Sequence, residues 1–368
     1  MTGFQFDNIR IAGIASAVPS KTVKSEEYYA AFGESAVRKT VETTGVESRH
    51  ITSEYQTASD LGFAAAENLL NGKQIDRDSI GVLIFGGHCG DYRKPATAAV
   101  LHKRLGLRLE CAAFDVGLGC SAFVYCIQIG AAMLNASSFS RALVIVSETT
   151  SKMVYPEDRS LEMIVGDGGS AILLERTAYS SSISGRLYTD GSGYRAIIVP
   201  AGGFRNQNAG NEPIVWRDGN PRTPYNTYMD GMEVFNFTLT KVPQSIRAFL
   251  DESGQTIDQF DCLAFHQANK LILQQLARKL KVDFSRVPYC LDRYGNIGGA
   301  TIPLLLSDKY GDIKEKQDLR VLCCGFGVGL SWGILTATIN TEDILPIQET
   351  DEVFSEGIIN TPEDLTKG

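Results

Sequence analysis

The chain has 368 residues, of which 43% are hydrophobic, and a net charge of −8. This length favours two domains of ordinary size, each with an apolar core. Residues 340–368 hold eight acidic residues and one lysine, a net charge of −7, which leaves −1 for the preceding residues. A nearly neutral body argues against nucleic-acid binding, and we expect the acidic end to be solvated.

No stretch approaches the roughly 18 to 20 apolar residues of a membrane helix, and the first residues lack the features of a signal peptide. The eight cysteines show no CxxC spacing, and the neighbouring Cys323 and Cys324 would point to opposite faces of a strand. The pattern therefore predicts neither a metal site nor a disulfide framework. Free thiols are typical of a reducing compartment, so we expect a cytoplasmic protein with no membrane association.

The first half alternates predicted strands and helices, which is typical of α/β layers. Strands are predicted over residues 9–14, 81–85, 112–116, 142–146 and 170–175. Between them, a broken helical region is predicted over 26–42, and helices over 57–70, 95–105 and from 121 onward.

The second half repeats this order. It has predicted helices over 234–250 and 269–280 and strands over 262–265, 321–324 and 332–338. Leu83 and Val144 lie 61 residues apart, and Leu263 and Leu322 lie 59 apart. This spacing favours a duplication, although α/β alternation also produces such coincidences. Residues 200–230 are rich in Gly, Asn, Pro and aromatics, which predicts an irregular insertion over a site or a subunit contact.

Cys120 stands where the strand 112–116 turns into a helix, so it is a candidate nucleophile. Gly117 and Gly119 permit unusual backbone angles and close approaches, and the N–H groups of a helix start would favour a thiolate and an oxyanion. Acyl transfer through sulfur needs both. Two other interpretations stay open: a buried core cysteine, or a dinucleotide site with a glycine phosphate turn and Glu148 on a ribose.

Two polar residues of the second half could meet Cys120. His266 follows the strand 262–265, at the edge where α/β sheets form their sites. Asn296 lies in a turn that contains three glycines. Each also has a structural interpretation, because a polar turn can cap a helix and Asn often occupies turns for backbone reasons alone. The glycine-dense segment 325–333 lacks P-loop spacing and predicts a tight turn beside the site.

Six motifs, in order, resemble the β-ketoacyl-acyl carrier protein synthase III family of thiolase-fold condensing enzymes, with this chain as a divergent member. The resemblance covers about residues 5–340. The motifs are Asp115–Cys120, Gly166–Gly168, Met229–Phe235, His266–Asn269, Tyr294–Asn296 and Gly325–Gly327.

The resemblance implies a thiolase-like, five-layer α-β-α-β-α fold built from two duplicated halves, over residues 1–178 and 179–340, with an acidic tail over 341–368. It implies a homodimer and a catalytic triad of Cys120, His266 and Asn296, with Phe326 and Gly327 beside the cysteine at the oxyanion site. No metal ion or cofactor is implied, and thioesters of coenzyme A or of acyl carrier protein would be the substrates. The glycine turn would then serve the nucleophile, which argues against the dinucleotide interpretation.

Departures from the family pattern indicate a nonstandard acyl donor. Similar enzymes clamp the coenzyme A adenine between a Trp and an Arg, where this chain has Lys39 and Thr43. Lys94 stands where a Phe would close the partner subunit's acyl pocket. Arg159 is the basic residue that the family pattern leads us to expect near the coenzyme A site. The candidate substrate-binding residues are Arg159, Lys94, Asn269 and Lys270.

The activity implied is decarboxylative Claisen condensation. Cys120 would take an acyl group from a thioester, and a malonyl thioester would lose CO2 and attack the acyl-enzyme to give a 3-oxoacyl product, in a specialised lipid or secondary-metabolite pathway. An amide such as that of Asn296 cannot abstract a proton, so decarboxylation replaces deprotonation as the route to the carbanion. Acyl transfer to an alcohol or amine without decarboxylation is the alternative. A non-catalytic alternative is that the chain is the inactive subunit of a condensing pair. The retained Cys120, His266 and Asn296 argue against this alternative.

Overall fold

Two β-sheets dominate the computed structural model, which describes residues 3–178 and 182–366. The first sheet has, in spatial order, β17 (Gln348–Thr350), β2 (Ile9–Pro19), β8 (Gly168–Arg176), β7 (Arg141–Glu148), β5 (Ile80–Gly86) and β6 (Ala112–Val116). The second has β1 (Phe4–Phe6), β9 (Ile183–Thr189), β16 (Ser331–Asn340), β15 (Asp318–Gly327) and β14 (Cys262–Phe265). Short strand pairs are β3 (Thr22–Lys24) with β4 (Ser48–His50), β10 (Ile197–Ile198) with β13 (Tyr228–Met229), and β11 (Ile214–Val215) with β12 (Pro221–Arg222).

The α-helices of the described residues are α1 (Tyr29–Phe32), α2 (Glu34–Thr44), α3 (Ala58–Gly72), α4 (Thr97–Arg104), α5 (Ala122–Asn135), α6 (Arg159–Glu162), α7 (Gly231–Ser253), α8 (Lys270–Leu280), α9 (Leu291–Tyr294) and α10 (Thr301–Tyr310). None of them is both long and apolar enough to cross a membrane. Helix α3 begins at a capping box, in which Thr57 and Asp60 satisfy each other's backbone N–H groups.

The helices and sheets form five layers. Helices α3 and α4 cover the outer face of the first sheet, α5 and α10 lie between the sheets, and α7 and α8 cover the second sheet. Three apolar cores separate these layers. Cys323 lies in the central core and Cys324 in the outer one, which confirms that these neighbours face opposite sides of β15. The predicted α-β-α-β-α architecture is therefore confirmed.

The two sheets repeat one strand order. The series β2-β8-β7-β5 in the first sheet corresponds to β9-β16-β15-β14 in the second, and in both series the last pair is parallel and the others are antiparallel. Leu263 pairs directly with Leu322. The duplication is thus confirmed. The boundaries near residues 178 and 340 stay a prediction, because β1 joins the second sheet and β17 joins the first.

Strand β9 and the end of the chain differ from the expectations. Strand β9 was not predicted because Gly185 and Arg186 interrupt its apolar residues. The insertion 200–230 is irregular, as predicted, apart from short strand pairs. The chain after residue 340 was expected to be solvated, but β17 pairs with β2.

A buried arginine anchors this C-terminal segment. Arg104 contacts the rings of Phe63 and Phe354 at 4.2 and 4.7 Å and bonds to the carboxylates of Asp60 and Glu352 at 2.8 and 3.0 Å. The side chain of Arg104 is 3% exposed and that of Asp60 is 1% exposed. Acidic residues of the segment therefore serve as partners for basic residues of the first half.

Replacing Arg104 by Ala should lower the free energy of unfolding by about 3 to 5 kcal/mol, because Asp60 would remain as a buried charge without its cation. Denaturant unfolding measures this change. In the control Arg108→Ala, an exposed pair with Glu110 and a long, exposed hydrogen bond of 3.4 Å to the Asp78 carbonyl are lost, so the expected change is within about 1 kcal/mol. Equal effects of the two substitutions would contradict the anchoring role.

Candidate active site

Cys120 lies in the turn between β6 and α5, where glycines of the second half pack against it. A Cβ added to Gly327 would lie 2.7 Å from the Sγ of Cys120, and one added to Gly325 would lie 2.8 Å from its carbonyl oxygen. Atoms do not approach so closely, so the end of β15 can reach the cysteine only because these positions carry no side chain. The Ser121 and Ser331 hydroxyls, 2.7 Å apart, join the same turn to the start of β16.

Of the two glycines before Cys120, neither is needed for an unusual backbone angle, and Gly119 matters because it leaves room for a neighbouring side chain. Neither Gly117 nor Gly119 has a positive φ, so the expected unusual angles are absent at these two positions. A Cβ on Gly119 would lie 2.9 Å from Nδ1 of His88, and one on Gly299 would lie 2.7 Å from the Gly119 oxygen. The close approach expected at Gly119 is therefore present, and it admits an imidazole ring.

Burial raises the pKa of the Cys120 thiol to about 11. The residue keeps partial exposure, but the protein packed around Sγ removes most of the water that would solvate a thiolate. Backbone N–H groups of Val328 and of Cys120 itself lower the pKa, whereas the Glu148 carboxylate raises it. The expectation of a favoured thiolate is wrong, because desolvation outweighs the donors at the helix start.

His266 follows β14 and is 2% exposed. Its Nδ1 lies 2.8 Å from the hydroxyl oxygen of Thr301, and that oxygen is also 2.9 Å from the Gly298 carbonyl oxygen. The ring packs edge-on against Phe326, with 5.3 Å between the centroids. Burial lowers the pKa of His266 to about 4, although the Gly298 carbonyl opposes this shift. His266 is therefore neutral near pH 7 and can act through hydrogen bonds rather than as a cation.

Asn296 is held by backbone contacts across the two halves. Its N–H donates to Ile164 at 2.8 Å, and its carbonyl accepts from Gly166 at 3.1 Å. The side-chain Oδ1 accepts the Gly298 N–H at 3.0 Å, so the Nδ2 group is the donor left for a substrate. The motif around Gly166 thus positions the asparagine.

Cys120 and Asn296 line one cavity of about 350 Å³. Apolar side chains supply most of the other walls, including Met153, Leu161, Val165, Ile198, Met229 and Val328. Such a lining suits an acyl chain whose thioester reaches Cys120. Gly298, whose carbonyl bonds to Thr301 behind it, also lines the cavity and so connects it to His266.

The other predicted site residues do not line the cavity. Phe326 is 2% exposed and supports His266. Asn269 caps α8 by accepting the Ile272 N–H, the structural interpretation that the sequence had left open for this turn. Lys270 places its ammonium 5.4 Å from the centre of the Tyr289 ring. Arg159 and Lys94 are both exposed, and neither borders the cavity.

Two cavity residues, His88 and Glu148, had no assigned part in acyl transfer. The carboxylate of Glu148 accepts the backbone N–H of His88 at 3.1 and 3.2 Å, and burial raises the pKa of Glu148. The assignment of Glu148 to a ribose is replaced by this contact. His88 lies just after β5 and Glu148 is the last residue of the neighbouring parallel strand β7, so the rule that places sites at the carboxyl edge of such strands could have found them.

Comparisons with known proteins identify the family of this chain. Residues 114–191 match the family of 3-oxoacyl-[acyl-carrier-protein] synthase III, and residues 250–339 match its C-terminal domain. A putative 3-oxoacyl-[acyl-carrier-protein] synthase 3 of Campylobacter jejuni is 30% identical over 92% of this chain and 96% of its own length. The chain belongs to this family. It is a synthase III-like acyltransferase of thiolase fold.

Two further relatives extend the comparison. The β-ketoacyl-[acyl-carrier-protein] synthase III of Streptococcus sanguinis is 34% identical over 80% of this chain and 89% of its own length. A crystal structure of a 3-oxoacyl-(acyl-carrier protein) synthase from Burkholderia xenovorans is 37% identical, with a TM-score of 0.89 over 95% of this chain and 99% of that one. The likeness thus includes both halves.

Iodoacetamide at limiting dose should label Cys120 first, because the cavity opens onto it while burial raises the pKa of the Cys89 thiol well above its usual value. The rate should rise about tenfold per pH unit between pH 7 and 9, since the thiolate reacts and its pKa lies near 11. Peptide mapping measures both, with Cys120→Ala as the control. Faster labelling of Cys89, or a rate independent of pH, would contradict the assignment.

Proposed function

We propose that this synthase III-like enzyme condenses a Cys120-bound acyl group with a malonyl thioester by decarboxylative Claisen chemistry, giving a 3-oxoacyl product. The observation that carries the proposal is the apolar cavity that brings Cys120 together with Asn296, with His266 tied to its Gly298 wall. Cys120, His266 and Asn296 are residue types that suit decarboxylation, because this route to the carbanion does not require any of them to act as a strong base.

In the first half-reaction, the sulfur of Cys120 attacks the donor thioester. The backbone N–H groups of Cys120 and Val328 reach the sulfur, so they are also close enough to stabilise the oxyanion of the tetrahedral intermediate. Gly327, which is predicted beside the cysteine at the oxyanion site, lies against Cys120, and its missing side chain makes room for Sγ. Collapse of the intermediate releases the donor thiol and leaves acyl-Cys120.

In the second half-reaction, Asn296 donates a hydrogen bond to the carbonyl of the malonyl thioester, and so does His266 in the neutral tautomer that carries its proton on Nε2 and leaves Nδ1 facing Thr301 as an acceptor. Loss of CO2 leaves its electron pair on the enolate, which attacks the acyl-Cys120 carbonyl and expels the Cys120 thiolate. A neutral His266, with its pKa near 4, remains a hydrogen-bond partner throughout. The proposal needs no metal ion or organic cofactor.

The donor is proposed to be a nonstandard acyl thioester of a specialised lipid or secondary-metabolite pathway, in the cytoplasm. Lys39 and Thr43, which stand where an adenine clamp is expected, are both exposed on α2. All eight cysteines are free thiols, which agrees with a reducing compartment.

A homodimer is also proposed. Strand β6 is an edge strand among the described residues, and it carries the turn that leads to Cys120. Its residues are all exposed or half-buried, and they follow Leu109, which is 92% exposed. A second copy that pairs with this edge would cover apolar surface close to the nucleophile.

Asn296→Ala should still form acyl-Cys120 while it loses most CO2 release, because removal of one such donor costs about 100- to 1000-fold in rate. Intact-mass analysis follows the acyl-enzyme, and CO2 release from a malonyl thioester follows the second step. His266→Ala should resemble it. If Asn296→Ala released CO2 at the parent rate, acyl transfer to an alcohol or amine would become the better assignment.

We further propose that an acidic acyl carrier protein docks along α8. Basic residues at this helix and just beyond it could steer an acidic partner. They are Lys270, Arg278, Lys279, Lys281 and Arg286. Arg286 already binds Asp258 at 2.6 Å, and the exposed Arg278, Lys279 and Lys281 therefore carry most of the charge available to a carrier.

Charge reversal at Lys270 and Lys281 should raise KM for a carrier substrate, most strongly at low salt, because exposed charges are screened within about 10 Å at 0.1 M salt. The matched control is Arg108→Glu in the loop before β6, and a coenzyme A substrate of the same acyl group provides a second comparison. Unchanged kinetics with the carrier substrate would contradict the proposed docking surface but not the proposed chemistry.

A further inference from the structure

A second imidazole lies beside the nucleophile. The ring of His88 packs on Gly119, the residue before Cys120, so closely that a Cβ there would lie 2.9 Å from Nδ1. His88, Gly119 and Cys120 line the same cavity. Unlike His266, which is 2% exposed, His88 is open to solvent and can exchange protons with water.

Glu148 fixes the loop that carries this imidazole. Glu148 is 2% exposed, and both of its carboxylate oxygens accept the backbone N–H of His88. Space for it also depends on a glycine, since a Cβ on Gly298 would lie 3.0 Å from Cγ of Glu148. Gly119 and Gly298, which have no side chains, thus leave room for His88 and Glu148, respectively.

The acylation step requires a proton acceptor that the triad does not supply. Cys120 is a thiol near pH 7, since its pKa is about 11, so it must lose a proton when it is acylated. His266 is a weak acceptor, because its pKa is near 4 and its Nδ1 lies against Thr301. An imidazole that is accessible to water is the side chain best suited to carry a proton near neutral pH.

We propose that His88, held by Glu148, is the proton carrier for acylation of Cys120. As Sγ attacks the donor carbonyl, a ring nitrogen of His88 takes the thiol proton, directly or across one water molecule. When the intermediate collapses, the carbon–sulfur bond to the donor breaks, and His88 returns the proton to the leaving thiolate. The new bond joins Sγ to the acyl carbon, and His88 ends in its starting form. The inference rests on the proposed function, since it assigns a role within the first half-reaction.

The test measures the two half-reactions separately in His88→Ala. Acylation of Cys120, followed by intact mass at short times, should slow about 100-fold, the lower end of the range for general base catalysis. Enzyme that has been acylated by long incubation should then release CO2 from a malonyl thioester at close to the parent rate. Added imidazole should restore part of the acylation rate, which a purely structural role of His88 would not allow.

Two variants keep the result interpretable. His102→Gln, which changes a histidine on α4, should acylate at the parent rate. Glu148→Gln keeps an acceptor for the backbone N–H of His88 but removes the negative charge, so it should slow acylation less than His88→Ala does. It also serves as the test variant if His88→Ala fails to fold.

Acylation of His88→Ala at the parent rate, or equal slowing of both half-reactions without rescue by imidazole, would overturn the proton carrier. Acylation of Glu148→Gln at the parent rate would overturn the role of Glu148. A parent enzyme that retains no acyl group from any thioester would instead overturn the proposed function, and the proton carrier with it.

Discussion

The site depends on the absence of side chains where the two halves meet. The turn that carries Cys120 belongs to the first half, and it contacts glycines of the second half at Gly325, Gly327 and Gly299. An added Cβ at any of these positions would lie within 2.8 Å of the turn, so even one methyl group would force the halves apart. The cavity exists only because the halves pack this closely. The duplication therefore provides the interface, and the glycines make it close enough for chemistry.

The same packing determines the charge state of the site. Close contact between the halves excludes water, which raises the pKa of Cys120 to about 11 and lowers that of His266 to about 4. Both groups are therefore neutral near pH 7, and they do not form an ion pair. A neutral imidazole and an amide suit the stabilisation of an enolate, whose charge appears only during the reaction. Acylation then requires a separate path for the thiol proton, and the open, solvated side of the cavity is where such a path can exist.

The sequence predicted the features that depend on local pattern. Strands β6 and β14 have the predicted limits, because each is a short apolar run that ends at a glycine turn or a polar turn. The positions of Cys120 and His266 at the carboxyl edges of parallel strands follow from the same patterns. What could not be predicted depends on tertiary contacts. The direction of the Cys120 pKa shift needs the extent of burial, and the packing of the C-terminal segment needs the partner Arg104.

The least periodic part of the chain contributes to the cavity wall. Ile198 and Met229 line the cavity from β10 and β13, which bracket most of the insertion. The insertion is anchored from within, since the fully buried Arg222 bonds to Asp158 at 2.9 Å and to Asp218 at 2.8 Å. Separation of Arg222 from Asp158 would leave the buried carboxylate of Asp158 without its cation, which opposes any opening of this loop. The acyl cavity therefore has a wall held by ion pairs, and its preference for acyl groups should depend on the shape of that wall.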